Sequence, residues 1–115
     1  MEVIVLLSIA ICDDEEYFRT AEKQLILKYM AGKNCECMID MYESGKELLA
    51  LDSAISQYNI IFLDVNMEEI DGIETAREIR RITKDVFIVF VTAFITYALE
   101  GYKVDAVRYL IKDHK

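Results

Sequence analysis

Residues 60–74 read IIFLDVNMEEIDGIE. The four apolar residues Ile60 to Leu63 suit a strand covered on both faces, the pattern of a parallel sheet. The run stops on a carboxylate, Asp64, and a glycine-marked turn at Asp71-Gly72 with further acids follows. A charged side chain at the tip of a buried strand is placed where parallel sheets bind ligands.

The flanking sequence supplies the rest of such a sheet. Val3 to Ile11 is a near-continuous apolar run, a first strand of the same buried kind. Glu15 to Met30 has helical periodicity, with Phe18, Ala21 and Leu25 on one face and Asp13, Asp14, Glu15 and Glu16 suiting the positive end of its dipole. Gly32 stops this helix, and CECMIDMY (35–42) alternates weakly, as an outer strand does. Ser44-Gly45-Lys46-Glu47 has capping-box spacing ahead of a short helix continued by Leu48, Leu51 and Ile55. After the third strand, Ile73, Ala76 and Ile79 form the inward face of a helix, and VFIVFVT (86–92) is a fourth strand. Thr96 to Glu100 predicts a short helix closed by Gly101, and AVRYLIK (106–112) a fifth strand.

Strand and helix alternate without hairpin signals between strands, so the fold class is α/β: a parallel five-stranded sheet with helices on both faces. The expected arrangement is the flavodoxin-like (βα)5 order 2-1-3-4-5, with its ligand crevice between strands one and three.

Composition bounds the function. The chain has 115 residues, 54% of them hydrophobic, which predicts one domain over 1–115 with a single core. A net charge of −8 and a pI near 4.6 repel duplex DNA and anionic membranes. The apolar N-terminus lacks the basic start of a signal peptide and is too short to span a bilayer, so no membrane contact and a cytoplasmic location are expected. Three cysteines, an odd number, agree with a reducing compartment. Cys35-x-Cys37 has no second cysteine pair to complete a zinc site, and His114 is the only histidine, so these read as reduced structural thiols without metal.

The polar residues at the strand ends carry the chemistry. Asp13 and Asp14 follow strand one, Asp64 ends strand three, Thr92 ends strand four and Lys112 ends strand five. Two like charges about 4 Å apart repel by roughly 4 kcal/mol at an effective dielectric near 20, so clustered carboxylates call for a cation. Mg2+ takes carboxylate and carbonyl oxygens and accepts a phosphate as a further ligand. Singly, each residue has an ordinary reading, as helix cap, strand-end threonine or surface lysine. Jointly they describe a phosphoryl site, with a carboxylate nucleophile, a metal, a hydroxyl and an ammonium group.

At these residues the chain resembles the receiver domain of two-component response regulators. The resemblance runs from about Leu7 to Lys112 and includes IAICDDE, IIFLDVNM, DGIE, VFVTAF and RYLIK; DGIETAREIR and YALEGYKVDAVRYLIK look most like the LytTR-type transcriptional regulators. The resemblance implies a signalling domain rather than an enzyme, with self-phosphorylation and autodephosphorylation its only chemistry. Asp64 would be the phosphoacceptor, taking its group from a phosphohistidine of a sensor histidine kinase. Asp14 would bind Mg2+ directly, Asp13 through water, and Asn66 through its backbone carbonyl. Thr92 would hydrogen-bond the phosphoryl oxygens, Lys112 would ion-pair with them, and Tyr109 would be the aromatic switch. A LytTR-type regulator binds DNA through a separate effector domain, which this sequence does not contain.

Three departures from the family stand out. Met67-Glu68 replaces the usual Met-Pro, removing a rigid φ and adding charge beside the metal. Lys112-Asp113 replaces a Lys-Pro bond that is commonly cis, and a trans bond is expected. Only Asp113, His114 and Lys115 follow the fifth strand, so the fifth helix is expected to be missing and an apolar face to be open to homodimerisation. Two other classes compete. A haloacid-dehalogenase-like phosphatase needs a second acid where Asn66 stands, and a static receiver-like interaction module would not respond to phosphorylation. A flavin-binding flavodoxin fits less well still, since CDDEEY would repel a phosphate.

Overall fold

The computed structural model describes residues 4–92 and 108–111, with backbone alone for 92 and 108–111. Five strands form one sheet: β1 (Val5–Cys12), β2 (Cys35–Tyr42), β3 (Ile60–Asp64), β4 (Phe87–Thr92) and β5 (Arg108–Ile111). Their order is β2-β1-β3-β4-β5 and all four pairings are parallel, as the alternation of elements predicts. Among the described residues three α-helices connect them: α1 (Glu16–Met30), α2 (Gly45–Leu49) and α3 (Gly72–Ile82). The short helix expected at Thr96–Glu100, the Lys112-Asp113 bond and the face expected for a fifth helix fall wholly or partly outside the described residues.

The inner strands β1, β3 and β4 are largely apolar, and their two faces meet different neighbours. Ala10 and Cys12 of β1, Ile61 and Leu63 of β3, and Ile88 and Phe90 of β4 point to one side and meet Leu48, Ile55, Ile73, Ala76 and Ile79 in the main core. Alternate residues point to the other side, where Leu7, Ile9, Ile60 and Phe62 face α1 across an apolar groove of about 370 Å³. The groove explains one difference from the sequence reading. Phe18 and Ala21 are half-buried, but Leu25 is 72% exposed, because it lies on the flank of α1 that borders the groove.

Local chemistry sets the helix starts. The Ser44 hydroxyl accepts the Glu47 N–H, realising half of the expected capping box. The helix it starts is only five residues long, and Leu51 and Ile55 continue as a 3-10 turn over Asp52–Gln57. Asp71 caps α3 by accepting the Glu74 N–H at 2.8 Å. Ile73, Ala76 and Ile79 are all buried, as their spacing requires. Among the described residues no helix is long and apolar enough to cross a membrane.

Candidate functional site: an acidic pocket at the switch point

β1 and β3 are neighbours whose connections leave to opposite sides of the sheet, so a crevice opens beyond their carboxyl ends. Asp13, the residue after β1, and Asp64, the last of β3, are 1% and 3% exposed. Asp14 is exposed. One carboxylate oxygen from each lies within 4.8 Å of the others. Residues fifty positions apart thus meet as the strand-end pattern predicts.

The turn after β1 is held from two directions. Asp13 Oδ1 accepts the Glu15 N–H at 3.0 Å, so this aspartate does serve the start of α1 while its carboxylate faces the pocket. Arg19, one turn into α1, donates from Nη1 to the Asp13 carbonyl at 2.7 Å, and its Nη2 lies 3.8 Å from Glu43 in the turn after β2. Its side chain is 12% exposed, so the guanidinium is a built-in clamp rather than a surface charge. Nothing in the sequence marks Arg19 out, because its role depends on where the β1 and β2 turns lie relative to α1.

The loop after β3 is fixed by packing. The Asn66 N–H donates to Asp64 Oδ1 at 3.3 Å, and Met67 turns inward, its sulfur 3.8 Å from the Cys12 thiol. Glu68 is exposed, and Glu69 occupies the left-handed region with φ of 64°. Glu69 also pairs with Lys46 at the start of α2 at 2.7 Å. Where the family has proline, this loop is therefore held by a buried methionine and by a surface ion pair. Gly72 comes next, and a Cβ there would lie 2.2 Å from the Asp64 carbonyl oxygen. The start of α3 sits directly on the backbone of the strand end, which only glycine permits.

The electrostatics match the carboxylate geometry. Cys12, just behind Asp13, has its thiol pushed up to about 12, first by burial and then by the charges of Asp13, Asp64, Glu47 and Asp14. Negative potential is concentrated at this strand end. Three oxygen donors of like charge, two nearly sealed from water, fit a hard divalent cation such as Mg2+.

The remaining predicted residues are placed by backbone alone or lie outside the description. Thr92 ends β4 opposite Ile111, on the same sheet edge as Asp64, and Tyr109 pairs with Phe90 across β4 and β5. Lys112 lies outside the described residues.

A doubly wound parallel sheet with an acidic pocket at its switch point defines a class of ligand-binding α/β domains. Within that class the chain belongs to the response regulator receiver domain family, whose model matches residues 9–115. It is 33% identical over 103 residues to the sensory transduction protein LytR of Staphylococcus haemolyticus, covering 89% of this chain and 38% of that protein. The sensory transduction protein LytT of Oceanobacillus iheyensis is 35% identical over 106 residues, covering 90% and 41%. The chain thus spans about two fifths of the length of these curated relatives. Among solved structures, response regulator TrrA from Thermotoga maritima, in complex with Mg2+-BeF, superposes with a TM-score of 0.75 at 31% identity, covering 95% of this chain and 89% of that one. The Vibrio cholerae chemotaxis protein CheY4 shares the fold at 22% identity, with a TM-score of 0.75 and coverage of 96% and 90%.

Proposed function

We propose that the chain is a phosphoacceptor receiver that takes a phosphoryl group from a sensor histidine kinase onto Asp64 in an Mg2+-dependent reaction. The observation carrying this reading is the meeting of Asp13, Asp14 and Asp64 within 4.8 Å at the switch point. An Asp64 carboxylate oxygen attacks phosphorus as the bond to the donor histidine nitrogen breaks; with a proton on its other ring nitrogen the donor leaves as a neutral imidazole, and an acyl phosphate remains on Asp64. Asp14, Asp13 through water, Asp64 and the Asn66 carbonyl would hold the ion. When bound, Mg2+ neutralises charge on the carboxylates and on the incoming phosphoryl oxygens. Thr92 donates its hydroxyl to those oxygens, and Lys112 pairs with them. A relative at 31% identity was solved in complex with Mg2+-BeF, which supports the Mg2+ part of this reading.

The new group adds about −1.5 to −2 charges and three acceptor oxygens at the tip of β3. Drawing Thr92 and Lys112 toward it would favour one of two packings of the fourth helix and fifth strand, with Tyr109 turning as the aromatic switch. The output is transcriptional and cytoplasmic, and DNA is contacted by an effector domain beyond residues 1–115, in keeping with the −8 charge of this part. Two copies associate through the face bearing Leu7, Ile60, Phe62 and the 57% exposed Phe87.

Incubation with acetyl phosphate and Mg2+ should add one phosphoryl mass to the chain and none to Asp64→Asn. An equal adduct on both, or none on either, overturns the assignment. Sedimentation with and without beryllofluoride tests association: a monomer at high concentration in both states removes the dimer.

A further inference from the structure

We propose that Cys35 and Cys37 form a two-thiolate site for a soft monovalent cation of the copper(I) class, on the edge of the sheet far from the acidic pocket. β2 is the outer strand, and its first and third residues pair in register with Val5 and Leu7. Residues i and i+2 of a strand leave the same face, so both sulfurs lie on one side of an edge that has no neighbour among the described strands. Both cysteines are half-buried, and the Cys35 thiol lies 4.0 Å from the Glu36 carbonyl oxygen. Cys37 titrates above the usual thiol range, through partial burial and then through Cys35 beside it.

The strand geometry selects the ligand. Alternate residues of an extended strand are roughly 6.6 Å apart with parallel side chains. A disulfide needs its Cβ atoms at about 3.5–4.5 Å, so closing one would break the ladder that pairs Val5 with Cys35 and Leu7 with Cys37. An ion between the sulfurs, with metal–sulfur bonds near 2.3 Å, spreads them to about 4.6 Å, which side chains leaning together on an intact strand can span. The pair is therefore shaped for a bridging atom rather than for direct oxidation.

Donor number then selects the metal. Zinc takes four ligands, and among the described residues no group of three or more His, Cys, Asp or Glu donors includes these two cysteines; the chain has a single histidine, at 114, and one further cysteine. That cysteine, Cys12, is buried at the far end of β1, seven residues along from the partner of Cys35 and so roughly 23 Å away. Two thiolates alone satisfy a soft d10 monovalent ion. Leu7, the partner of Cys37, also lines the apolar groove with Tyr29 and Met30, which gives the site a poorly hydrated flank. On binding, each thiol releases a proton to solvent and forms one sulfur–copper bond. Copper remains monovalent and no electrons are exchanged.

The test is an anaerobic titration of the reduced 115-residue chain with Cu(I), in competition with the chromophoric chelator bathocuproine disulfonate. One Cu(I) per chain is expected, with affinity falling by more than about 100-fold in Cys35→Ser and in Cys37→Ser. Circular dichroism and the Mg2+ titration should be unchanged in both variants, since the pocket lies at the other end of the sheet. As a measurement that needs no variant, Cu(I) loading should protect two thiols from iodoacetamide, read by intact mass. Undiminished binding by the double variant, one copper shared between two chains, zinc displacing copper at equal concentration, or no protection from alkylation would each overturn the proposal.

Discussion

Replacing Gly72 with alanine tests how tightly the start of α3 is pressed against the end of β3. An added Cβ would lie 2.2 Å from the Asp64 carbonyl oxygen, 2.8 Å from Val65 Cα and 2.9 Å from the Asp64 carbonyl carbon, all backbone atoms that no rotamer change can clear. A tolerable carbon–oxygen contact is roughly 3.3 Å, so the helix start and the strand end must separate by about 1 Å. The Gly72 N–H donates to the Val65 carbonyl at 2.9 Å, and that shift takes it beyond hydrogen-bond range. Losing the bond costs about 0.5–1.5 kcal/mol and overpacking about 1–3 kcal/mol, which together predict a destabilisation of about 2–4 kcal/mol. That is a large part of the stability of a small domain, typically about 5–15 kcal/mol. The chain has no tryptophan, so urea unfolding is best followed by far-UV circular dichroism. Because the movement is centred on Asp64, Mg2+ affinity should also fall by about tenfold or more. A loss of less than about 0.5 kcal/mol together with an unaltered Mg2+ titration would refute the argument, since it would mean that the contact relaxes without moving the strand end.

Other perturbations separate the parts of the pocket. Asp13→Asn keeps an oxygen for the Glu15 N–H but removes one of three like charges, so the metal-free chain should gain a few degrees in Tm while its response to Mg2+ is lost. Arg19→Ala frees the Asp13 carbonyl and should cost about 1–3 kcal/mol in urea unfolding and weaken Mg2+ binding; Arg19→Lys, with a single-point donor, should recover part of each. Tyr58 is 3% exposed, donates to Asp40 at 2.6 Å and meets the Tyr42 hydroxyl, and burial first and then the Asp40 hydrogen bond raise its pKa above the usual 10. The folded state thus holds this proton more tightly than the unfolded chain does. Its contribution is complete below pH 10 and is lost as pH rises from there toward the folded pKa. Denaturation curves at stepped alkaline pH should show that decline in the parent chain and a shallower one in Tyr58→Phe, which should cost about 1 kcal/mol at neutral pH.

The receiver resemblance was legible in residues that sit at strand ends, where a polar type interrupts an apolar run: Asp13, Asp14 and Asp64 stand out against Ile9–Cys12 and Ile60–Leu63. Cap chemistry was equally readable, since Ser44 and Asp71 act on the N–H three residues ahead. Leu25 was misplaced by the same kind of reasoning. Helical periodicity gives the direction a side chain takes but not whether a neighbour is there to meet it. Arg19 and Gly72 were missed as site residues because their partners, the Asp13 and Asp64 carbonyls, are backbone atoms of other elements and leave no pattern along the chain.

Local patterns of apolarity, capping and alternation determine the elements, their order and the parallel sheet, because those patterns reflect forces acting within a few residues. Tertiary structure alone decides that three carboxylates share one pocket, that Asp13 is sealed while Asp14 meets water, and that a glycine lies against the end of β3. Those outcomes depend on distances between atoms brought together by folding, and charge repulsion, burial and steric contact act through space rather than along the chain.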